Sequence, residues 1–305
     1  MVKVSKASGT PICLSAIPEG KARNLVVYVH GCCTDAHDVY LLRKEFGDAI
    51  KQAFLQYPPS QPDDWEIVVW DWHKNEETGV DQTPKPPVWK KEFYDKANIA
   101  YKAADGEKGE GNKLANAINE ADANNPNFKY KYIHLIAHSA GSKLIHEAAQ
   151  TLSKLKNQKN VGKPFIHLTF LDAYTPNDES RIGDDSYGYL PDYPNHYAEH
   201  YVDWGLPFTN AILQNAFNFD ITGWIGANKG DPLTVGHIWP RYWYIQSMIG
   251  PYFYVCGSNS DLVRPCYGYP LSFEGGTNEF NELDQMYPPG RKCFIEVEAE
   301  PCEPQ

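Results

Sequence analysis

Short apolar runs alternate with longer stretches in which apolar residues recur every three or four positions, and this alternation organises most of the chain. Asn24-Leu25-Val26-Val27-Tyr28-Val29-His30 is continuously apolar and β-branched up to its histidine, the pattern of a strand covered on both faces, and Gly31 ends it. Residues 40–54 read as a helix, with Leu41, Leu42, Phe46, Ile50 and Phe54 falling largely on one side. Residues 66–71 form the next strand and are followed by a polar, proline-rich loop. A helix from about residue 92 is interrupted by the glycines of residues 105–112 and resumes over 114–122. Residues 132–137 read as a third buried strand. Residues 140–152 read as a helix whose apolar face is Ala140, Leu144, Ile145, Ala148 and Leu152, and 165–171 as a fourth strand.

Beyond Asp172 the pattern loosens. Residues 174–196 are rich in Tyr, Pro and Asp, as in an ordered loop or cap, and weaker strand candidates follow at 198–202 and 217–222. Pro240 suits the first turn of a helix that runs to Ile249. The alternation of strands and helices predicts an α/β protein, a mostly parallel central sheet with helices on both faces. One domain is expected over 1–250, with a cap at about 174–235. The turn-rich residues 251–305 then form a C-terminal extension packed on it.

Composition narrows the partners. A net charge of −11 over 305 residues opposes nucleic-acid binding, which needs a basic surface, and electrostatic attachment to anionic lipid. No apolar run is long enough to cross a bilayer, and the first residues lack the apolar centre of a signal peptide, so integral membrane association is not expected. The compartment stays open between cytoplasm and, had a signal been trimmed, secretion. The seven cysteines leave it open too: Cys256, Cys266, Cys293 and Cys302 cluster late, as two disulfides of an oxidising compartment would, whereas buried thiols are ordinary in the cytosol. Oligomeric state is not legible.

The sharpest chemistry is Ala137-His138-Ser139-Ala140-Gly141, between a strand and its helix. A serine hydroxyl is a poor nucleophile unless it is oriented and served by a base. A tight strand–turn–helix corner leaves it at least partly exposed, small residues at 137 and 141 relieve the crowding, and the helix N-terminus behind it offers N–H groups to an oxyanion. This resembles the nucleophile elbow of the α/β-hydrolase fold. There one oxyanion donor follows the first central strand and the other follows the serine, which assigns the main-chain N–H groups of Cys32 and Ala140. His30 reads as a buried brace for its loop. Adjacent Cys32 and Cys33 lack the further ligands that a metal site needs.

The base lies beyond the serine in this fold. Of the ten histidines, His196, His200 and His237 come late enough. His237 stands after Gly236, in what reads as a loop leading to the helix at Pro240, where a base would be presented. His196 and His200 read as surface or cap residues. Asp172, at the end of the strongest downstream strand, is the favoured acid to orient the imidazole, and Asp203, after the next candidate strand, is its competitor.

Val29-His30-Gly31, Val69-Trp70-Asp71-Trp72, Ala137-His138-Ser139-Ala140-Gly141 and Leu171-Asp172-Ala173-Tyr174-Thr175-Pro176 resemble, in order, four motifs of pancreatic-type lipases. The segment from Gly236 to Tyr244 is similar to the histidine loop of their bacterial relatives. The likeness spans about residues 24–250. It implies the acid at Asp172 and a structural corner at Asp71-Trp72. Cys32 departs from the bulky apolar residue usual after His-Gly, and Ala173 from a common proline.

Together these features predict a serine hydrolase that cleaves a small-molecule carboxylic ester through Ser139, Asp172 and His237 and needs no cofactor. The aromatic stretch Tyr187 to Trp204 is expected to join the cap and line the substrate pocket. The same triad serves thioesterases, amidases and acyltransferases, and a non-catalytic binding protein could retain the scaffold.

Overall fold

In a computed structural model the described residues are 3–5, 11–13, 24–32, 44–53, 65–72, 88–123, 129–158, 163–176, 186–203, 212–221, 232–249 and 295–296. The strands are β1 (Lys3–Ser5), β2 (Pro11–Cys13), β3 (Asn24–Val29), β4 (Trp65–Trp70), β5 (Tyr132–His138), β6 (Phe165–Leu171), β7 (His196–Val202), β8 (Phe217–Asp220) and β9 (Ile295–Glu296). The helices are α1 (residues 44–53), α2 (Val88–Ala104), α3 (Glu110–Ala123), α4 (Gly141–Gln158) and α5 (Pro232–Ile249).

β1 and β2 pair antiparallel as a separate hairpin, which the residue pattern did not announce. The main sheet runs β4-β3-β5-β6-β7-β8-β9, and every neighbouring pair is parallel. The chain leaves β3 for β4 on one side and returns to β5 on the other. The order therefore reverses between β3 and β5, and in open parallel sheets ligands bind in the crevice outside the strand ends at such a point. Ser139 follows β5 and Cys32 lies just after β3.

Strand alternation sends each strand's residues into two separate cores. Leu25, Val27 and Val29 of β3 join Ile133, Leu135 and Ala137 of β5 and Ile166, Leu168 and Phe170 of β6 under α2, α3 and α4. Val26, Tyr28, Ile136, Leu171, Tyr197 and Tyr201 face the other way, under α1 and α5. Helices thus cover both faces, as the pattern predicts. In α4, Leu144, Ile145, Ala148 and Leu152 are fully buried. Burying a side chain the size of Leu or Ile stabilises the fold by roughly 1.5–3 kcal/mol, so this helix is pinned firmly to β5.

The weaker strand candidates at 198–202 and 217–222 are strands of the sheet, β7 and β8. Two expectations change. β7 lies within the stretch also assigned to the cap, and Tyr187 and Tyr193 are buried in the core and not in a pocket lining. The last helix begins at Pro232, eight residues earlier than Pro240, because Pro232 takes the first position and Pro240 is accommodated inside. Of the extension, β9 adds a strand to the sheet edge beside β8; Cys256, Cys266, Cys293 and Cys302 lie outside the described residues. Among the described residues no helix is long and apolar enough to cross a membrane.

Candidate active site

β5 and β6 end in register, His138 opposite Leu171, and the residue after each has a left-handed backbone: φ is 55° at Ser139 and 49° at Asp172. Such a conformation costs a non-glycine residue on the order of 1–3 kcal/mol and persists only where surroundings enforce it. The enforcement is mutual. The Ser139 N–H donates to the Leu171 carbonyl (3.0 Å), and the Ser139 carbonyl accepts from Tyr174 (3.3 Å) and Ser142 (3.0 Å). The Asp172 N–H donates to the Tyr201 carbonyl at 2.8 Å. The serine corner and the aspartate corner are therefore one hydrogen-bonded unit.

Two glycines allow this corner to close. A Cβ on Gly31 would stand 2.9 Å from the Ser139 Cβ, and one on Gly141 would stand 2.6 Å from the His30 carbonyl oxygen. The first lets the end of β3 reach Ser139, and the second lets α4 start directly against that same strand end. His30 is fully buried. Its Nε2 accepts from the Trp72 N–H (3.2 Å) while the Trp72 indole donates to the His30 carbonyl (2.9 Å), which ties the end of β3 to that of β4.

His237 reaches the corner from the second turn of α5, not from a loop. Its Nδ1 donates to Asp172 Oδ2 at 2.6 Å, which leaves Nε2 as an acceptor, and Ser139 Oγ lies 2.8 Å away with its hydroxyl proton available. Asp172 Oδ1 accepts the main-chain N–H of Asp203 at 3.3 Å. Asp203 thus sits beside Asp172 and supports its carboxylate through its backbone. All three side chains are buried. Ser139 is only 1% exposed, against the expectation of a partly exposed hydroxyl, because Gly31, the aspartate corner and the His237 ring close around it. Cys32 is half-buried just after Gly31, and Ala140 immediately precedes α4, where N–H groups have no partner within the helix.

Two histidines that residue patterns passed over brace this geometry. His200, read as a cap residue, is buried in β7. It accepts the Ala173 N–H at Nε2 (3.2 Å) and donates through Nδ1 to Asn218 Oδ1 (3.0 Å), steadying the residue after Asp172. Burial lowers its pKa to about 4, with the Asn218 bond opposing, so the ring stays neutral. Alternation of His200 with Tyr197, Glu199 and Tyr201 was the available signal. His138 has its Nε2 2.7 Å from the His237 carbonyl.

Among the described residues His134, His167 and Glu199, on three adjacent strands, have the composition of a metal site. Their geometry is that of a hydrogen-bond network. The two imidazoles are stacked at 3.9 Å and 7°, so their in-plane lone pairs run parallel and do not converge on one ion. His134 pairs with Thr169 (2.8 Å), Thr169 donates to Glu199 (2.6 Å), and His167 lies between Tyr132 (2.7 Å) and Glu199 (3.2 Å). Burial, then the neighbouring His134, lowers the His167 pKa to about 4. The series ends on the Glu199 carboxylate, which accepts from Thr169 and His167 and also from the Tyr201 hydroxyl at 3.0 Å.

No protein-family profile matches the chain, and no curated protein does. Among solved structures it is similar to a lipase-esterase related protein from Clostridium acetobutylicum, at 17% identity over 55% of this chain with a TM-score of 0.26. It spans about half of that protein, 49% of its length. It is also similar to esterase PE8, at 14% identity over 68% of this chain and 87% of that one, with a TM-score of 0.33. Likeness at this level carries no argument, and the reading of the site rests on its own geometry.

Proposed function

We propose that the protein is a carboxylic-ester hydrolase of the α/β-hydrolase type that works through an acyl-enzyme on Ser139. The observation that carries the reading is the continuous hydrogen-bonded series from Ser139 Oγ through His237 to Asp172, set on a left-handed serine at the end of a central strand. Ser139 Oγ attacks the acyl carbonyl and His237 Nε2 takes its proton. Asp172 holds the Nδ1 tautomer and stabilises the imidazolium. The N–H groups of Cys32 and Ala140 hold the oxyanion. Collapse expels the alcohol, which takes the proton back from His237. Water then enters and attacks the acyl carbon as His237 takes one of its protons; the bond to Ser139 Oγ breaks, Oγ takes that proton back from His237, and the acid leaves.

The ordered motifs that resemble pancreatic-type lipases agree with this assignment; in particular they put the acid at Asp172. The test is hydrolysis of 4-nitrophenyl esters of graded acyl length, with a thioester and an amide in parallel. Wild type should turn over at least one ester faster than the thioester or amide, and Ser139→Ala should lose several powers of ten in rate. Activity of Ser139→Ala above about one per cent of wild type overturns the assignment.

A further inference from the structure

We propose that His138 is a positioning residue that fixes the base through its main chain, an inference that rests on the roles proposed for Ser139 and His237. The His138 ring lies on the α5 side of β5, with Nε2 2.7 Å from the His237 carbonyl oxygen and its centroid 4.6 Å from the His237 ring at a 40° tilt. A carbonyl only accepts, so His138 must carry its proton on Nε2. Pro240, three residues on, has no N–H for the Gly236 carbonyl beside it, and its ring crowds that turn. The turn that carries the base is thus short of one helical hydrogen bond, and the His138 N–H ties it to β5 one residue before Ser139. The Ser139–His237 distance is then set by the strand end that presents the nucleophile. Burial first, and then the adjacent His237, hold the His138 pKa well below its ordinary range, so no second positive charge opposes the imidazolium that forms on His237.

The test compares two substitutions in the full chain. His138→Met keeps the bulk and removes the donor; His138→Gln puts an amide N–H where Nε2 was. Sites are counted by fluorophosphonate titration and turnover is measured on a short 4-nitrophenyl ester. H138M should lose roughly 10- to 100-fold in kcat per titrated site with KM nearly unchanged, and H138Q should stay within about threefold of wild type. The downfield proton resonance of the His237–Asp172 bond should persist in H138Q and vanish or broaden in H138M. A merely structural role would lower the melting temperature of both variants and leave turnover per titrated site and the resonance alone. If H138M does not fold, His138→Asn, whose donor falls one bond short, replaces it with the same expectations. H138M turning over within about twofold of wild type, or H138Q as slow as H138M, overturns the proposal. Ser139→Ala run alongside separates the failures: an inactive S139A with an unimpaired H138M overturns the positioning role alone, and an active S139A overturns the underlying reading with it.

Discussion

Gly31→Ala adds one methyl group where the residues just after β3 pass Ser139. That carbon would sit 2.9 Å from Ser139 Cβ, 3.0 Å from His138 Nδ1 and 3.3 Å from the His138 carbonyl oxygen. Carbon atoms rest comfortably at about 3.5–4.0 Å, so something must move by roughly 0.6–1 Å. The strands cannot share the shift easily, because β3 and β5 are parallel neighbours paired from Asn24 with Tyr132 to Val29 with Ala137. The displacement falls on His138 and Ser139, and Ser139 Oγ has only a 2.8 Å hydrogen bond to His237 to lose. Overpacking of this kind costs about 1–3 kcal/mol, and an error of this size in a near-attack geometry costs on the order of 100-fold in rate. The assay is kcat per fluorophosphonate-titrated site on a 4-nitrophenyl ester, with thermal melting alongside. Gly47→Ala in α1 is the control. Among the described residues nothing lies within 4 Å of its added carbon, so removing a helix glycine there should stabilise by about 0.5–1 kcal/mol and leave turnover alone. A Gly31→Ala enzyme that melts as wild type and turns over within about twofold of it would refute the close-approach argument.

Asp172→Asn should lower turnover by roughly two to four powers of ten with a small change in melting, because an amide favours the wrong imidazole tautomer; Asp203→Asn should cost a few-fold at most, since its contact with Asp172 is main-chain. Kinetics of the two variants that came out reversed would make Asp203 the acid. Glu66 tests the fold away from the site: it is buried on β4, only one of its oxygens is bonded among the described residues, by Tyr130, and burial raises its pKa from 4.5 to about 7. The folded state keeps that proton to higher pH than the unfolded chain, so stability should fall as pH rises from about 4.5 to about 7, by up to about 3 kcal/mol in total. Glu66→Gln should flatten that slope and raise the melting temperature above pH 7; a melting curve with the same pH dependence in both proteins contradicts it.

The central strands were legible because a strand buried on both faces has a nearly continuous apolar run, as in β3, β5 and β6. The serine corner was legible because its small flanking residues have no other purpose at a strand–helix junction. β7 was harder to read. His196, Glu199 and His200 look like surface residues in a window of sequence, yet Glu199 and His200 are buried because Thr169 on β6 and Asn218 on β8 supply their partners. Only the sheet brings those partners together. The start of α5 was misread because Pro240 resembles a helix opening; the packing of Trp243, Tyr244 and Met248 holds the helix through it. The left-handed backbone at Asp172 had only a weak signal, the modest tolerance of aspartate for that conformation, and it is held by contacts with β5 and β7.

The central claim is that Ser139 is an activated nucleophile served by His237, and covalent labelling tests it most directly. Wild type, Ser139→Ala and His237→Ala are incubated with a fluorophosphonate, and adducts are counted by intact mass and located by peptide mapping. The account predicts one adduct per chain on Ser139 in wild type, none in Ser139→Ala, and labelling of folded His237→Ala slowed by orders of magnitude. An unlabelled wild type, an adduct on another residue, or a His237→Ala protein labelled at the wild-type rate would contradict it.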